Sequence, residues 1–351
     1  MRLLFFESFA LAFLISLATT FIVARMAVKR KILDIPDTQR HFHKSATPTL
    51  GGMAIFTSFF LVTFVVGIFG GYFLKGNIPL AVLIGIWISG AVLMVGGYLD
   101  DRYQLAAKHS IIFPIVASLI VVASGVRAVS IHNPLTGNVI FLSSLVSAII
   151  VFVWTMTMTY TTKLLDGMDG LVTGIASIGG LVLFGLSLTP QVAQPQTALL
   201  AITLAGSFLG FLILNFYPAK IFLGEGGSTF AGFMLAVLAI VSGGKIATAL
   251  LVMGIPLLDM LWVIIQRLVQ RQSPFTGDRK HLHYKLIEIG FSQPQAVLFL
   301  YALTAIFGLS ALFLQSRGKL VALIIMFVVM LAIVAAVFGA YKNRSKISND
   351  K

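Results

Sequence analysis

Long apolar runs and short polar connectors alternate along almost the whole chain. Eleven of these runs reach the roughly 20 mostly apolar residues that a helix needs to cross a bilayer. They lie at about 3–24, 50–74, 79–99, 110–129, 141–160, 168–188, 196–216, 228–242, 246–268, 294–315 and 319–340. The longest polar connectors, 25–49 and 269–293, are too short for a separate soluble domain, and no tandem repeat is visible. The pattern predicts an all-α polytopic membrane protein, about 11 transmembrane helices in one domain over residues 1–351. The first run holds Glu7 and is followed, not preceded, by a basic cluster. A cleaved signal peptide has the opposite order, so this run is read as a retained span.

Composition sharpens that picture. Hydrophobic residues make up 58% of the chain and charged residues 11%, more apolar surface than a water-soluble domain of this length can hide. The absence of Cys excludes disulfide and thiol chemistry. The net charge of +13 would suggest nucleic acid in a soluble protein. In a lipid-solvated chain it reports orientation and contact with anionic headgroups, so no nucleic-acid partner is expected. Eleven spans put the termini on opposite sides. Arg2, Lys75, Arg127, Lys245, Arg317 and Lys319 then share one side, and the other 19 of the 25 Lys and Arg share the opposite one. Positive loops stay inside, which predicts an outer N-terminus and a cytoplasmic C-terminus.

The chain has only 12 acidic residues, so their grouping is informative. This topology brings "HKSATPTLGG" (43–52), "YLDDRYQL" (98–105), "KLLDGMDGL" (163–171), "FLGEGGSTF" (222–230) and "DRKHLHYKL" (278–286) to the cytoplasmic face. A carboxylate at the bilayer centre costs about 2.5–3.5 kcal/mol, so Asp100, Asp101, Asp166, Asp169 and Glu225 are expected to line a polar cleft near the inner surface. Clustered carboxylates need a cation, and oxygen-only ligands suit Mg²⁺, with Mn²⁺ as its substitute. His43, Lys44, Arg279, Lys280, His281 and His283 supply donors for phosphate. "GEGGS" opens a span, so its backbone N–H groups are placed to face an anion. Together these features point to phosphoryl transfer between one soluble and one lipid substrate.

Each feature also has a structural reading. Asp166 and Asp169 share a helix face if their segment is helical. The glycine pairs 51–52 and 226–227 suit close helix packing. His281 and His283 suit headgroup anchoring, and their spacing is not that of a zinc helix. His109 and His132 are read as interfacial and receive no role. Asp259, eight residues before Arg267 in one span, is read as an intramembrane polar contact.

These five ordered motifs resemble the polyprenyl-phosphate N-acetylhexosamine-1-phosphate transferases, over roughly residues 3–340. That resemblance implies a multi-pass enzyme of the bacterial cytoplasmic membrane. Its substrates would be a UDP-sugar, most simply UDP-GlcNAc, and polyprenyl (undecaprenyl) phosphate, with UMP released. It would open cell-envelope polysaccharide synthesis, surrounded by membrane lipids, and a homodimer is compatible with it. Asp100 and Asp101 fall on the family's acidic pair, implicated in catalysis and in deprotonating the lipid phosphate. Asp166 falls in the central acidic motif near the phosphates, and Asp169 where the family contacts uracil. Asn215 and Phe222 match N-x-x-P-A-x-x-F, here "NFYPAKIF", on the nucleoside side, as do Lys44 and Thr49. Arg279, His281 and His283 match the loop that clasps pyrophosphate and sugar. "DRKHLHYKL" is similar to the polysaccharide-priming branch, whereas "HKSATPTLGG" looks closer to the peptidoglycan branch that uses UDP-MurNAc-pentapeptide.

The chain departs from the family at several positions. Lys163 stands where Asn is usual and Glu225 where Asp is usual, the two positions implicated in holding Mg²⁺. Tyr160 replaces a further Asn, and Gln104 replaces an acid or Lys. The expectation is that Lys163 contacts Glu225 and adds positive charge for the pyrophosphate. Glu225 would then hold Mg²⁺ with Asp100 or Asp101. A catalytically altered homologue is one rival reading. A secondary transporter is another, although transporter sites lie near the bilayer midplane in repeated halves.

Overall fold

The computed structural model describes residues 1–36, 46–73, 76, 78–133, 135–243, 245–272 and 281–349. Lipid offers the backbone no hydrogen-bond partners, so each apolar run closes its own ladder as a helix. The first half holds α1 (Arg2–Lys29), α2 (Gly51–Phe64), α3 (Leu80–Tyr103), α4 (Ala107–Ser110), α5 (Ile112–Ala123) and α6 (Ser144–Leu165). The second half holds α7 (Leu171–Ser187), α8 (Pro195–Asn215), α9 (Gly224–Val241) and α10 (Ile246–Val269). It closes with α11 (Leu282–Glu288), α12 (Gln293–Phe313) and α13 (Ser316–Asn349). Helix α2 runs on as a π-helical turn over Val65–Phe69.

Nine helices among the described residues are long and apolar enough to cross a membrane. Two shorter apolar helical stretches, Ala107–Ala123 and Leu171–Ser187, fall on the expected spans 110–129 and 168–188. At about 1.5 Å per residue, 17 residues rise only some 26 Å. The first is also broken at Ile111, between α4 and α5. The chain is a multi-pass membrane protein and predominantly helical, but not purely so. Two small antiparallel ribbons pair Leu33–Asp34 (β1) with Thr47–Pro48 (β2), and Ser130–His132 (β3) with Val139–Phe141 (β4).

The centre of the bundle is α8 and α9, each 83% buried over its most apolar window. Helix α13, 22% buried, lies at the periphery and presents Ile324, Ile325 and Val328 outward, as a lipid-facing helix must. Helix α9 packs against α2, α3, α6 and α7, and α8 against α1 and α7. Glycines set how closely α9 approaches its neighbours. A Cβ on Gly97 would stand 2.2 Å from the Gly226 nitrogen, and one on Gly52 would stand 2.2 Å from the Gly227 nitrogen. The packing reading of these glycines is therefore correct. The crossing draws the C-terminal end of α3 and the N-terminal ends of α2 and α9 together at one end of the bundle.

Candidate active site

The site begins at the last turn of α3, which ends where Gln104 takes a left-handed conformation (φ 50°). Asp100 accepts the Leu105 amide on Oδ1 at 2.9 Å and the Ser110 hydroxyl on Oδ2 at 2.8 Å. Asp101 reaches across to α9 and accepts the Glu225 amide on Oδ1 at 3.1 Å. Its Oδ2 lies 2.4 Å from where a Cβ on Gly224 would be, and Gly224 has φ +75°. Only glycine fits there. Asp101 thus satisfies an orphan amide at the positive end of α9. The expectation that the "GEGGS" amides face an anionic ligand is corrected accordingly. Glu225 N–H is given to Asp101, and the next two nitrogens pack on glycine backbone.

Lys163 projects from the last turn of α6. Its ammonium forms an ion pair with Glu225 Oε1, the contact that the paired departures had suggested. It also donates to Ser110 Oγ at 3.1 Å and lies 5.7 Å from the Tyr160 ring centroid. Ser110 therefore joins the ammonium to Asp100. Sequence reasoning missed Ser110, because a lone serine at the head of a greasy run carries no signal of its own.

The D-G-M-D-G segment is a turn between α6 and α7, not a helix, so Asp166 and Asp169 do not share a helix face. Asp166 is exposed at this turn, within electrostatic reach of Glu225, Asp101 and Asp169. Its carboxyl is raised well above the ordinary carboxylate range, first by its low-dielectric surroundings and then by Glu225, Asp101 and Asp169. Water in the open cleft moderates the effect. Asp169 turns the other way and accepts the Ala219 amide at 2.9 Å.

The residues expected on the nucleoside side form a tight mesh. Asn215 is buried, accepts the Thr173 hydroxyl at 2.6 Å and donates to the Ile221 carbonyl at 3.0 Å. Its amide therefore serves the 215–221 loop first. Phe222 joins this loop to the start of α2, donating to the Pro48 carbonyl at 2.8 Å and accepting from Gly51 at 3.1 Å. Thr49 lies beside this junction with its hydroxyl buried and unpartnered among the described residues. Lys44 and Arg279 lie outside the described residues.

The histidine segment approaches from α10 and α11. Asp259 accepts His281 Nδ1 at 2.9 Å and the Leu282 amide at 2.8 Å. It thus anchors α11 and fixes one histidine tautomer, rather than making the contact with Arg267 expected from spacing. His283 is buried, with neither ring nitrogen hydrogen-bonded among the described residues, and a Cβ on Gly167 would be 2.7 Å from its Nε2. Burial pushes its pKa down to about 3, the pull of Asp259 notwithstanding. Tyr284 donates to the Gly167 carbonyl at 3.4 Å. His283 and Tyr284 thus brace the acidic turn from behind, while His281 and His283 themselves are buried.

The donor set expected for Mg²⁺ does not fit as it is held here. Glu225 is spent on Lys163, Asp100 on Leu105 and Ser110, and one Asp101 oxygen on the Glu225 amide. Among the described residues no trio of His, Asp or Glu is arranged to hold a metal ion. Mg²⁺ prefers near-ideal octahedral oxygen ligands, and an ammonium in contact with the chosen carboxylate opposes it.

Residues 83–243 match glycosyl transferase family 4. The Bacillus subtilis (strain 168) protein named "Probable undecaprenyl-phosphate N-acetylglucosaminyl 1-phosphate transferase" is 30% identical, over 95% of this chain and 93% of its own length. The chain belongs to the polyprenyl-phosphate N-acetylhexosamine-1-phosphate transferase family. It is an enzyme, a phosphotransferase of the membrane. A Mycobacterium tuberculosis (strain ATCC 25618 / H37Rv) relative, "Decaprenyl-phosphate N-acetylglucosaminephosphotransferase", is 31% identical over 78% of this chain and 73% of its own. The Escherichia coli (strain K12) "Undecaprenyl-phosphate alpha-N-acetylglucosaminyl 1-phosphate transferase" is 26% identical over 81% and 77%.

Proposed function

We propose that this phosphotransferase moves N-acetylglucosamine 1-phosphate from UDP-GlcNAc to a polyprenyl phosphate and releases UMP. In this reading the chain crosses a bacterial cytoplasmic membrane eleven times, the outer end carries the N-terminus, and the acidic cleft faces the cytoplasm. The observation that carries the proposal is the convergence of Asp100, Asp101, Asp166, Lys163 and Glu225 at one end of the bundle. The sugar and the lipid follow the relatives, whose names specify N-acetylglucosamine and polyprenyl carriers. A site at one end of the bundle also disfavours the transporter reading, which calls for a site near the midplane.

An oxygen of the lipid phosphate bonds to the phosphorus that carries the sugar. The bond from that phosphorus to the bridging oxygen breaks, and that oxygen leaves on UMP with the electron pair. One phosphoanhydride replaces another, so the exchange is close to thermoneutral. The enzyme's work is alignment and charge compensation of two anionic phosphates. Asp100 accepts the proton of a monoprotonated lipid phosphate, with Asp101 supporting the turn that presents it. Asp166, open to the cleft, stands nearest to the phosphates. Asp169, on the far side of the acidic turn, meets the nucleotide base, and Thr49, Asn215 and Phe222 shape that end of the cleft. Asp259 orients His281 toward the sugar phosphate.

The test is UMP release by purified protein supplied with undecaprenyl phosphate and either UDP-GlcNAc or UDP-MurNAc-pentapeptide. Release with UDP-GlcNAc, abolished by Asp100→Asn, is expected. Release with the pentapeptide alone moves the enzyme to peptidoglycan synthesis.

A further inference from the structure

Departures from the family pattern meet at one atom, the Lys163 nitrogen. Lys163 supplies an ammonium where a neutral side chain was expected. Glu225, longer than aspartate by one methylene, reaches it as an ion pair. Tyr160, three residues earlier on α6, sets its ring 5.7 Å from the same nitrogen. Ser110 then links the ammonium to Asp100, at 3.1 and 2.8 Å. Unrelated drift would not place these side chains around a single charge. They form one device, a cation paired with Glu225 and tied through Ser110 to Asp100.

That device still has capacity to bind. An ammonium has three N–H donors. Glu225 and Ser110 take two, which leaves a third for a phosphate oxygen. The Lys163 and Glu225 side chains are 23% and 20% exposed, so the pair lies within reach of the cleft. A cation fixed beforehand costs no reorganisation when negative charge shifts between phosphates.

Resting on the transferase reading, we propose that Lys163 is a catalytic residue that takes the place of a protein-bound divalent cation. Its ammonium donates to an oxygen of the phosphate at which bond exchange occurs and keeps its own protons throughout. Glu225 holds it in position, and Ser110 couples it to Asp100. The enzyme therefore transfers its sugar phosphate without a resident metal.

The decisive experiment compares UMP release in EDTA with release in Mg²⁺, for the full chain and for Lys163→Asn. The wild-type enzyme is expected to keep its rate in EDTA to within about twofold. In EDTA, Lys163→Asn is expected to fall by about 100-fold or more, the usual loss on removing one fixed electrostatic donor. Adding Glu225→Asp to Lys163→Asn is expected to create a Mg²⁺-dependent activity. Wild-type activity that vanishes in EDTA and returns with Mg²⁺ overturns the proposal and leaves the transferase reading standing. Absence of release with or without Mg²⁺ counts against the transferase reading instead. Mn²⁺ titration followed by electron paramagnetic resonance, without nucleotide, then decides the proposal independently of turnover. One Mn²⁺ bound by the wild type and lost in Glu225→Gln overturns it. Mn²⁺ bound only by the Lys163→Asn/Glu225→Asp protein supports it.

Discussion

The two flanks of the D-G-M-D-G turn treat their polar groups in opposite ways. On the flank proposed for the nucleoside, Asp169 and Asn215 make directional bonds to Ala219, Thr173 and Ile221. Those bonds fix the loop that follows α8, and the side chains are committed to the fold before any ligand arrives. On the flank proposed for the phosphates, a partly exposed Lys163–Glu225 ion pair is linked through Ser110 to Asp100, with Asp166 exposed nearby. A directional bond between buried neutral groups, as at Asn215, resists exchange, whereas a partly exposed ion pair can trade a partner for a phosphate. The nucleoside flank is accordingly the rigid wall and the phosphate flank the working surface.

The largest effect should come from Asp100→Asn. It keeps one acceptor for the Leu105 amide, turns an amide N–H toward the Ser110 oxygen in place of the second acceptor, and removes the base. A loss in kcat of about 10²–10⁴-fold is expected, with folding unchanged by circular dichroism. A next test crosses Lys163→Met with Glu225→Gln. Either single change strands a charge, and the double change strands none. The cycle should show a coupling of about 0.5–3 kcal/mol in detergent unfolding. Purely additive losses would mean that the ion pair holds nothing together.

Asn215→Ala sharpens the other side of the contrast. It leaves the Ile221 carbonyl and the Thr173 hydroxyl without their partner, at about 1–3 kcal/mol. The expected signature is a lower unfolding temperature and a raised KM for the UDP-sugar, with kcat nearly intact. The smallest effect concerns pH. His283 has an ordinary pKa of 6.5 and is held at about 3 in the fold, so the unfolded chain binds the proton more readily. Stability should therefore be complete above pH 6.5 and decline as pH falls from there toward about 3. A His283→Gln protein should show a shallower acid-side decline, read as unfolding temperature against pH.

Much of this was legible in the residues. Each long apolar run became a helix, because lipid leaves a backbone no other way to satisfy its amides. The acids could be assigned to one end, because charge is costly in hydrocarbon and the connectors alternate between ends. The coupling of Lys163 with Glu225 was readable because two unusual residues shared one site. Asp259 misled: its spacing suggested Arg267, yet its oxygens serve His281 and Leu282 from a different segment. Ser110, Thr173 and Tyr284 carried no local signal, since their contacts with Lys163, Asn215 and Gly167 span 53, 42 and 117 residues along the chain.

The sequence by itself determined the environment of every segment, because burial in lipid is a one-dimensional property of composition and length. It also grouped the acidic motifs at one end of the bundle, because charge can be counted along the chain. Beyond the Lys163–Glu225 pair, only the tertiary structure decided which carboxylate meets which donor. Directional hydrogen bonds depend on ångström distances between helices, and here the glycine contacts of α9 with α2 and α3 set those distances.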